Sequence, residues 1–319
     1  MVYGCQHVYK TIFLYPYIIK ACCPGNGKGI VLGKYPSCVS YKNLLHKSKM
    51  FLDAFKKGSV PKSCRDCFNV VDNFDWSSVD DVKIDTFYIS NWFDCNANCI
   101  YCVNNCITDK KITNEVHKSP CYDVLPLLKY LKNENLVGEK LKVFITGGEP
   151  ALFAEIPDVI DFFRENDTTF FSVFSSGISY FEPFHKLLQS NIRTELIISP
   201  DCGNPDLYKK IKRVDHFYDV FENIKKYGEN CYPNNKIIVK YIFIKNVNDN
   251  KQSILEFLDK VEEYSSSKQY YVRFDVDYNY KNLEKSPILD LMKFSDEEVQ
   301  KRNLNRSFAL VIEHLLKNL

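Results

Sequence analysis

The stretch Cys95-Asn96-Ala97-Asn98-Cys99-Ile100-Tyr101-Cys102 places three cysteines within eight residues. It follows residues 84–93, whose sequence predicts a β-strand, so the cysteines are expected on the loop that leaves this strand. A Cys-x3-Cys-x2-Cys loop can bring three thiolates onto one concave surface. Such a set suits a cubic iron–sulfur cluster in which the protein binds three irons and leaves the fourth open. An open position on a metal is a place where a small molecule can bind and react.

A structural zinc site is the alternative interpretation of this loop. Zinc usually takes four ligands, and Cys106 could supply the one that the stretch lacks. A third interpretation, buried cysteines that lie close together by chance, does not explain the spacing. The rest of the chain therefore has to decide between a cluster and zinc.

The composition indicates an ordinary globular protein. The 319 residues suffice for one large α/β domain with a small module, or for two ordinary domains. Hydrophobic residues make up 45% and charged residues 26%, which is typical of a chain with a sizeable core. The net charge is +2 without a long Lys or Arg block, so neither a nucleic-acid partner nor a membrane surface is predicted.

Cysteine usage and apolar runs together predict a cytoplasmic protein. The thirteen cysteines, an odd count with clustered spacings, favour metal binding in a reducing compartment over a disulfide framework. The apolar run at 11–19 is short, contains Pro16 and lacks a small-residue cleavage site, so it does not predict a signal peptide. No stretch approaches the roughly 20 apolar residues that span a bilayer.

Predicted strands and helices alternate along the chain from residue 82 onward. The strands are expected at 84–91, 141–146, 169–175, 194–199, 236–244 and 269–276. The helices are expected at about 121–135, 155–166, 181–190, 205–228, 250–264 and 295–318. Six strand–helix units with buried β-branched strands predict an α/β fold, in which right-handed crossovers close a parallel sheet into a full or partial barrel. Chemistry in such barrels lies at the C-terminal ends of the strands.

A second motif, Gly147-Gly148-Glu149-Pro150, follows the second predicted strand about 45 residues after the cysteines. Gly147 and Gly148 allow close backbone approach and unusual dihedral angles, and Pro150 fixes the turn. Glu149 can accept a hydrogen bond from an ammonium group. Taken alone, the tetrapeptide also fits an ordinary turn.

Together the two motifs resemble the signature of the radical S-adenosylmethionine (radical SAM) superfamily, whose members typically use a six-unit partial barrel. The resemblance implies a partial (β/α)6 TIM-like barrel for the six predicted units. The resemblance implies that Cys95, Cys99 and Cys102 bind a 4Fe–4S cluster, with the amino and carboxylate groups of SAM on the open iron. One electron then splits SAM, and the resulting 5'-deoxyadenosyl radical abstracts a substrate hydrogen atom. The resemblance also implies that residues 147–150 hold the SAM amino group and that the backbone at Tyr101 lies near the adenine.

Residues at later strand ends complete the predicted site. By the same resemblance, Ser176 and Ser199 contact the SAM carboxylate and ribose hydroxyls, whereas both could simply be turn or helix-capping residues. Asp201 belongs to the same predicted set, and it could instead cap the helix that Asn204-Pro205 begins. Tyr101, taken alone, could also be a core aromatic residue.

Three further residues have a functional and a structural interpretation each. Lys240 and Arg273 lie within predicted strands among apolar residues, and a charge inside a buried strand is costly unless it is paired. Either could face the barrel and bind an anionic group, with Lys240 as a predicted cofactor contact, or could point outward and cover a helix. Cys202, after the fourth strand, is a hydrogen-atom donor by hypothesis, while most free cysteines are small core residues.

Residues 1–80 are predicted to form a cysteine-rich module ahead of the barrel domain at 81–319. They contain a glycine-rich turn at 24–29 and a predicted short helix at 48–57, too little apolar material for an independent core without a metal. Their cysteine pattern resembles SPASM and Twitch modules, which hold an auxiliary 4Fe–4S cluster but normally follow the barrel. The resemblance implies the ligands Cys23, Cys38, Cys64 and Cys67, with Cys22 as the alternative to Cys23. A zinc site built from the same residues is the other interpretation.

The sequence therefore predicts a radical SAM enzyme that acts on a peptide or protein undergoing maturation. A sugar, a nucleotide or another small molecule is the alternative substrate. An electron donor such as flavodoxin or ferredoxin is expected as a partner. A hypothesis of another class is an iron–sulfur electron-transfer or metal-binding protein without SAM turnover. Changes at Gly147 or Glu149 would leave such a protein unaffected but would impair SAM binding in an enzyme.

Overall fold

The computed structural model describes residues 3–16, 18–22, 29–34, 40–65, 67, 69–77, 79–102, 122–265, 269–277 and 287–308. The chain divides into two compact units. The first comprises Met1–Phe93, Lys118–Gly148 and Phe153–Phe171, and the second comprises Asp94–His117, Glu149–Leu152 and Ser172–Leu319. The division into residues 1–80 and 81–319 that the sequence suggests remains a prediction.

The first unit is built on strands that are partly parallel and partly antiparallel. Its strands are β1 Tyr3–Gly4, β2 Thr11–Leu14, β3 Ile18–Lys20, β4 Val31–Lys34, β5 Val71–Asp72, β6 Ile84–Ile89 and β7 Val137–Ile145. The order β7-β6-β2-β3-β4 has parallel pairs between β7, β6 and β2 and antiparallel pairs between β2, β3 and β4. β1 and β5 form a separate antiparallel pair.

Helices complete the first unit. They are α1 His7–Lys10, α2 Tyr41–Lys56, α3 Leu125–Asn133 and α4 Ile156–Arg164. The expected helix at 48–57 is thus the second half of the longer helix α2. Its buried residues Leu44, Ser48, Leu52 and Phe55 recur at spacings of three and four, which puts them on one face.

The second unit repeats a strand–helix alternation. Its strands are β8 Thr168–Ser175, whose first residues belong to the first unit, then β9 Arg193–Ile198, β10 Lys236–Phe243, β11 Tyr270–Val276 and β12 Asn305–Phe308. Its helices are α5 Glu182–Leu188, α6 Pro205–Lys212, α7 Phe217–Tyr227, α8 Lys251–Tyr264 and α9 Ile288–Lys301. The strand order is β12-β11-β10-β9-β8, and β9 to β12 are mutually parallel neighbours.

The parallel strands of this unit are buried along most of their length. In β10, Ile237, Ile238, Val239, Tyr241 and Phe243 are each at most 1% exposed, as a parallel strand covered by helices requires. This burial explains why the strand stands out in the sequence as a continuous apolar run. The α/β class with a mostly parallel sheet is confirmed.

Two predicted helices differ from those in the structure. The helix expected at 205–228 is two helices, because Arg213 adopts a left-handed φ of +57° that ends α6. The helix expected at 295–318 is α9 at Ile288–Lys301, followed by strand β12 rather than by more helix. Residues 309–318 of that prediction lie outside the described residues.

Within the described ranges, no helix has both the length and the apolar character needed to cross a bilayer.

Candidate functional site

The cysteine loop, residues 94–102, is the centre of the candidate site in the second unit. Cys95 is exposed, and Cys99 and Cys102 are half-buried. The Cys102 N–H donates to the Cys99 carbonyl at 3.1 Å, which closes a turn between these two cysteines. The Ala97 N–H donates to Cys95 Sγ at 3.5 Å. One short, turned segment thus carries three thiols, which is the donor set that a three-cysteine cluster requires.

The C-terminal end of helix α6 holds the middle of this loop. The Asn98 N–H donates to the Lys212 carbonyl at 2.9 Å, and the Ile100 N–H donates to the Ile211 carbonyl at 3.0 Å. The last carbonyls of a helix have no partner within the helix, so they are free to accept from another segment. The helix end and the loop therefore satisfy each other's backbone groups.

A buried charged pair adds side-chain contacts at the same place. Lys212 Nζ lies 2.5 Å from Asp201 Oδ2 and donates to the Tyr101 hydroxyl at 2.8 Å. That hydroxyl donates to Asp201 Oδ2 at 2.5 Å. The side chains of Lys212 and Asp201 are 5% and 0% exposed. Burial alone would lower the pKa of Lys212, but the adjacent Asp201 carboxylate raises this pKa well above its usual value, so the lysine is charged.

Asp201 is also fixed by backbone groups around it. Its φ is +64°, its Oδ1 accepts from the Ile242 N–H at 2.9 Å, and its carbonyl accepts from Asn248 Nδ2 at 2.9 Å. The Asn248 Oδ1 accepts from the Ile244 N–H at 2.7 Å, so this asparagine ties several backbone groups together. Both carboxylate oxygens of Asp201 have protein donors. The contact of Asp201 with SAM therefore stays a prediction. Helix α6 is capped by Asn204 and not by Asp201, because the Asn204 side chain accepts from two N–H groups of α6.

Glu149 is completely buried beside the end of β8. Its Oε1 accepts from Ser175 Oγ at 2.9 Å and from the Ala151 N–H at 3.2 Å, and its Oε2 accepts from the Ser176 N–H at 2.5 Å. Burial raises the pKa of Glu149, and the hydrogen bonds from Ser176, Ala151 and Ser175 oppose that shift. Its own N–H donates to the Asp94 carbonyl at 2.8 Å, so the second motif is hydrogen-bonded to the start of the cysteine loop.

Ser176 connects Glu149 to the cysteine loop by a second route. Its hydroxyl donates to Asn96 Oδ1 at 2.8 Å and accepts from the Ile178 N–H at 3.2 Å. Asn96 Nδ2 in turn donates to Ser179 Oγ at 3.3 Å. The end of β8 therefore holds one side of the loop, while α6 holds the other.

Gly147 belongs to the first unit and has a φ of +115°, which an L-residue rarely adopts. A Cβ at this position would lie 2.7 Å from Ser90 Oγ and 3.2 Å from Trp92 Nε1. Trp92 Nε1 and Asn91 Oδ1 are buried and have no hydrogen-bond partner among the described residues. The Trp92 N–H could donate to a ligand carboxylate, and Asn91 Oδ1 could accept from a ligand amino group. SAM has both groups, and Gly147 leaves space beside the Trp92 N–H.

The remaining residues of this motif are less exposed than Gly147. Gly148 is half-buried, and Pro150 is buried at the start of a 3-10 turn, Pro150–Leu152. The ring of Pro150 restricts its φ angle and so fixes the direction of the backbone after Glu149.

Lys240 and Arg273 share one carboxylate. They lie opposite each other on β10 and β11, with Lys240 Nζ 3.6 Å from Asp275 Oδ2 and Arg273 Nε 3.2 Å from Asp275 Oδ1. Lys240 Nζ also lies 5.6 Å from the centre of the Phe174 ring. Burial lowers the pKa of Lys240, and Asp275 opposes the shift. Asp275 is thus an ion-pair partner of both cations, and the Asp201 carboxylate also opposes the lowering of the Lys240 pKa.

Ser199 and Cys202 both follow strand β9, but they differ in burial. Cys202 is 0% exposed, and its thiol donates to the carbonyls of Pro200 and Asn204 at 3.6 and 3.5 Å. These contacts fit a core cysteine, and its role as a hydrogen-atom donor stays a prediction. Ser199 is half-buried, and its contact with SAM likewise stays a prediction.

Two of the predicted auxiliary ligands are described and lie close together. The Cys67 N–H donates to the Cys64 carbonyl at 3.2 Å, and the Val70 N–H donates to the Cys67 carbonyl at 3.0 Å, so consecutive turns follow one another here. The predicted ligands Cys23 and Cys38 lie outside the described residues.

Cys5 joins this group although the sequence did not single it out. It is 5% exposed and directly follows Gly4, which pairs with Val71 in the short β1–β5 ladder. Burial and, to a smaller extent, the nearby thiols of Cys22, Cys67 and Cys64 raise the pKa of Cys5 to about 11. Cys22 Sγ also accepts from the Ile30 N–H at 3.2 Å.

In the part of the chain that the structure describes, no three His, Cys, Asp or Glu side chains form a ready metal-binding group.

Sequence reasoning missed Lys212 and Asn96. Lys212 lies four residues after Tyr208 on α6, so both side chains are on the buried face of the helix. This spacing is the sequence signal that distinguishes Lys212 from the exposed Lys209. Asn96 gave no signal, because its partners Ser176 and Ser179 are distant in the sequence.

Comparison with protein families gives one match over the region that carries this site. The family model described as "Radical SAM superfamily" matches residues 92–258, just over half of the 319 residues.

Similar curated proteins share a name. They include "Probable GTP 3',8-cyclase" of Methanococcus maripaludis, which is 28% identical over 144 residues, 45% of this chain and 45% of that protein. They also include "GTP 3',8-cyclase" of Petrotoga mobilis, which is 28% identical over 194 residues, 60% of this chain and 55% of that protein. The chain spans about half the length of these curated relatives.

Similar solved structures include two of Streptococcus suis SuiB. The structure of SuiB bound to precursor peptide SuiA gives a TM-score of 0.53 at 14% identity, covering 86% of this chain and 55% of that chain. Another SuiB structure gives a TM-score of 0.51 at 15% identity, covering 86% and 56%. At this identity the likeness concerns the fold alone.

Proposed function

The chain belongs to the radical SAM superfamily, and we propose that it cleaves SAM reductively at a cluster held by Cys95, Cys99 and Cys102. The superfamily is one of enzymes and implies a 4Fe–4S cluster and SAM. The assignment of these three ligands is the proposal. When bound, the cluster and SAM supply one electron and a 5'-deoxyadenosyl radical that abstracts a substrate hydrogen atom.

One observation carries this proposal: the cysteine loop and the second motif are joined by hydrogen bonds. The Glu149 N–H donates to the Asp94 carbonyl at 2.8 Å, and Ser176 contacts both Glu149 and Asn96, at 2.5 and 2.8 Å. A loop that carries three thiols is thus held next to a buried carboxylate. A carboxylate accepts a strong, charge-assisted hydrogen bond from an ammonium group. Glu149 is the proposed acceptor for the SAM amino group, and Gly147, Gly148 and Pro150 shape the turn around it.

The test is anaerobic reconstitution with iron and sulfide, followed by reduction in the presence of SAM. The wild-type chain should form 5'-deoxyadenosine, and the triple variant C95A/C99A/C102A should not. Cys231→Ala is the matched control, because Cys231 is half-buried and its thiol contacts only the carbonyl of the next residue among the described groups. Equal 5'-deoxyadenosine formation by the triple variant and the control would overturn the assignment.

A peptide is the proposed substrate, and a nucleotide is the second candidate. Lys240 and Arg273, which both contact Asp275, could also bind an anionic group, which is a carboxylate in a peptide and a phosphate in a nucleotide. The GTP 3',8-cyclase names of the curated relatives favour the nucleotide. Incubation of the reduced enzyme with GTP and with candidate peptides separates the two, since only the substrate accelerates SAM consumption.

We further propose an auxiliary metal centre at the N-terminal cysteines. The sequence resemblance implies Cys23, Cys38, Cys64 and Cys67 as ligands, with Cys22 as the alternative to Cys23, and the consecutive turns at Cys64 and Cys67 support that pair. Four thiolates suit either a 4Fe–4S cluster or zinc. A cluster here could bind substrate or accept an electron from a substrate radical.

Metal analysis decides the auxiliary centre. The C95A/C99A/C102A variant should retain about four irons per chain if the second centre is a 4Fe–4S cluster, and zinc alone if it is a zinc site. Adding C64A/C67A to this variant should then remove the remaining metal. Full retention of that metal would contradict the assignment of Cys64 and Cys67 as ligands.

The electron donor and the location complete the proposal. A low-potential carrier such as flavodoxin or ferredoxin is expected to reduce the cluster, because cleavage of SAM needs an electron that the chain does not supply. The cysteine-rich composition favours a reducing compartment, the cytoplasm.

A further inference from the structure

We propose that Lys212 and Asp201 are positioning residues for the cysteine loop, which they hold on the end of helix α6 through the hydroxyl of Tyr101. This inference rests on the proposed function, because the loop matters for catalysis only if its cysteines bind the cluster. It also gives Asp201 a role other than a contact with SAM.

Tyr101 is the point where the buried pair acts on the loop. It lies between Cys99 and Cys102, so a displacement of its backbone moves both proposed ligands. Its hydroxyl is held on two sides, by Lys212 Nζ at 2.8 Å and by Asp201 Oδ2 at 2.5 Å. The Lys212 ammonium also lies 5.1 Å from the centre of the Tyr101 ring, within reach of a cation–π contact.

Backbone hydrogen bonds extend the same contact. The N–H groups of Asn98 and Ile100 donate to the carbonyls of Lys212 and Ile211 at 2.9 and 3.0 Å. Lys212 therefore contacts the loop twice, once by its carbonyl and once by its ammonium group. These bonds are not shared with the neighbouring exposed lysine, Lys209, which pairs with Asp215 instead.

Asp201 supplies the fixed end of the arrangement. It is 0% exposed, and its Oδ1 accepts from the Ile242 N–H of β10, so the carboxylate is held by the sheet. Its Oδ2 accepts from both Tyr101 and Lys212. With both oxygens engaged and the residue buried, the carboxylate is placed to orient the lysine and the tyrosine.

The charges of the pair predict that replacing either residue alone destabilises the arrangement. A buried ammonium next to a buried carboxylate is compensated, whereas removal of one partner leaves an uncompensated charge. Groups that orient metal ligands from outside the ligand set typically change metal affinity by about 10- to 100-fold when they are lost. The expected consequence is a loop that holds its cluster less tightly.

Two variants test the proposal in the full, anaerobically reconstituted chain. Tyr101→Phe removes only the hydroxyl and keeps both charges, while Lys212→Met removes the ammonium group. Lys209→Met, on the exposed side of the same helix, is the control. The measurements are iron content, the rate of cluster loss to a chelator, and the EPR spectrum of the reduced protein with and without SAM.

We expect Tyr101→Phe and Lys212→Met to lose the cluster at least about 10-fold faster than Lys209→Met. Their EPR spectra should also differ from that of the control. Tyr101→Phe should keep a melting temperature near that of the wild type in the metal-free form, which separates positioning from a merely structural role. Cluster retention and spectra equal to the control in Tyr101→Phe would overturn the proposal, even if Lys212→Met does not fold. A wild-type chain without any 4Fe–4S signal would instead contradict the proposed function.

Discussion

Glu149 has both carboxylate oxygens occupied by donors from the end of β8 and from its own turn. A carboxylate offers about four acceptor sites, and three donors reach Glu149, namely Ser175 Oγ and the N–H groups of Ala151 and Ser176. The three donors fix the orientation of the carboxylate before any ligand binds.

Replacing Glu149 with glutamine should weaken SAM binding by about 10-fold or more, because a hydrogen bond between charged groups is lost. The amide group of glutamine also cannot accept from every present donor, and a buried donor without a partner costs about 1–3 kcal/mol. Calorimetry with SAM on the cluster-bearing protein measures the first effect, and urea unfolding measures the second. The exposed Glu165→Gln variant is the control. Unchanged SAM affinity in Glu149→Gln would remove Glu149 from the site.

Gly147 should not tolerate alanine, because its φ is +115° and the added Cβ would lie 2.7 Å from Ser90 Oγ. Backbone strain of this kind costs about 1–3 kcal/mol. Urea unfolding should show this loss for Gly147→Ala and a smaller one for Gly138→Ala, whose Cβ would come no closer than 3.2 Å to its neighbours. Equal losses at the two positions would show that the backbone conformation of Gly147 is unimportant.

Single residues could be predicted from the sequence where a local motif marks them. The cysteines and residues 147–150 stand at fixed spacings, so they could be found without a structure. Lys212 could not, because its importance depends on Asp201 and Tyr101, which lie 11 and 111 residues away along the chain. Cys5 was missed for the same reason, since its neighbours come from distant segments.

At the scale of elements, helix α6 is capped by Asn204 at its N-terminal end and binds the cysteine loop at its C-terminal end. Asn204 caps the helix by accepting from the N–H groups of Asp206 and Leu207 at 2.9 and 3.2 Å. Pro205 follows at the first helical position, where its missing N–H costs nothing. The opposite end of α6 carries the carbonyls that bind the loop. A change at the N-cap should therefore reach the loop through the helix.

Asn204→Ala should lower the free energy of unfolding by about 0.5–2 kcal/mol and should also speed cluster loss. Asn250→Ala is the matched control, because Asn250 caps α8 by accepting from the Ser253 N–H at 2.9 Å. The two variants should be destabilised alike in chemical unfolding. Faster cluster loss only in Asn204→Ala is the expected result, and equal rates in both would separate α6 from the site.

The elements themselves were predicted to different degrees. Strands β6 to β11 lie within a few residues of their expected positions, because buried parallel strands are continuous apolar runs. The break between α6 and α7 was not predicted, because Arg213 takes the left-handed conformation without the glycine that usually marks it. Strand β12 was assigned to a helix, since a short strand at the end of a long apolar pattern has no periodicity of its own.

At the scale of the whole molecule, the first unit contains a strand pairing that the sequence alone does not predict. β2 pairs in parallel with β6 from Thr11 opposite Thr86 to Leu14 opposite Ile89. Pairing between segments about 75 residues apart leaves no local signal in the sequence. The α/β class was predictable nevertheless, because it follows from the alternation of strands and helices.

The central claim is that the cysteine loop binds a 4Fe–4S cluster whose open iron takes SAM. The most direct test is the EPR spectrum of the reduced C64A/C67A variant, in which the loop is the remaining proposed cluster site, recorded before and after addition of SAM. The account predicts a 4Fe–4S signal with about four irons per chain, and a change of that signal when SAM binds. A spectrum that SAM leaves unchanged, or the absence of a 4Fe–4S signal, would contradict it.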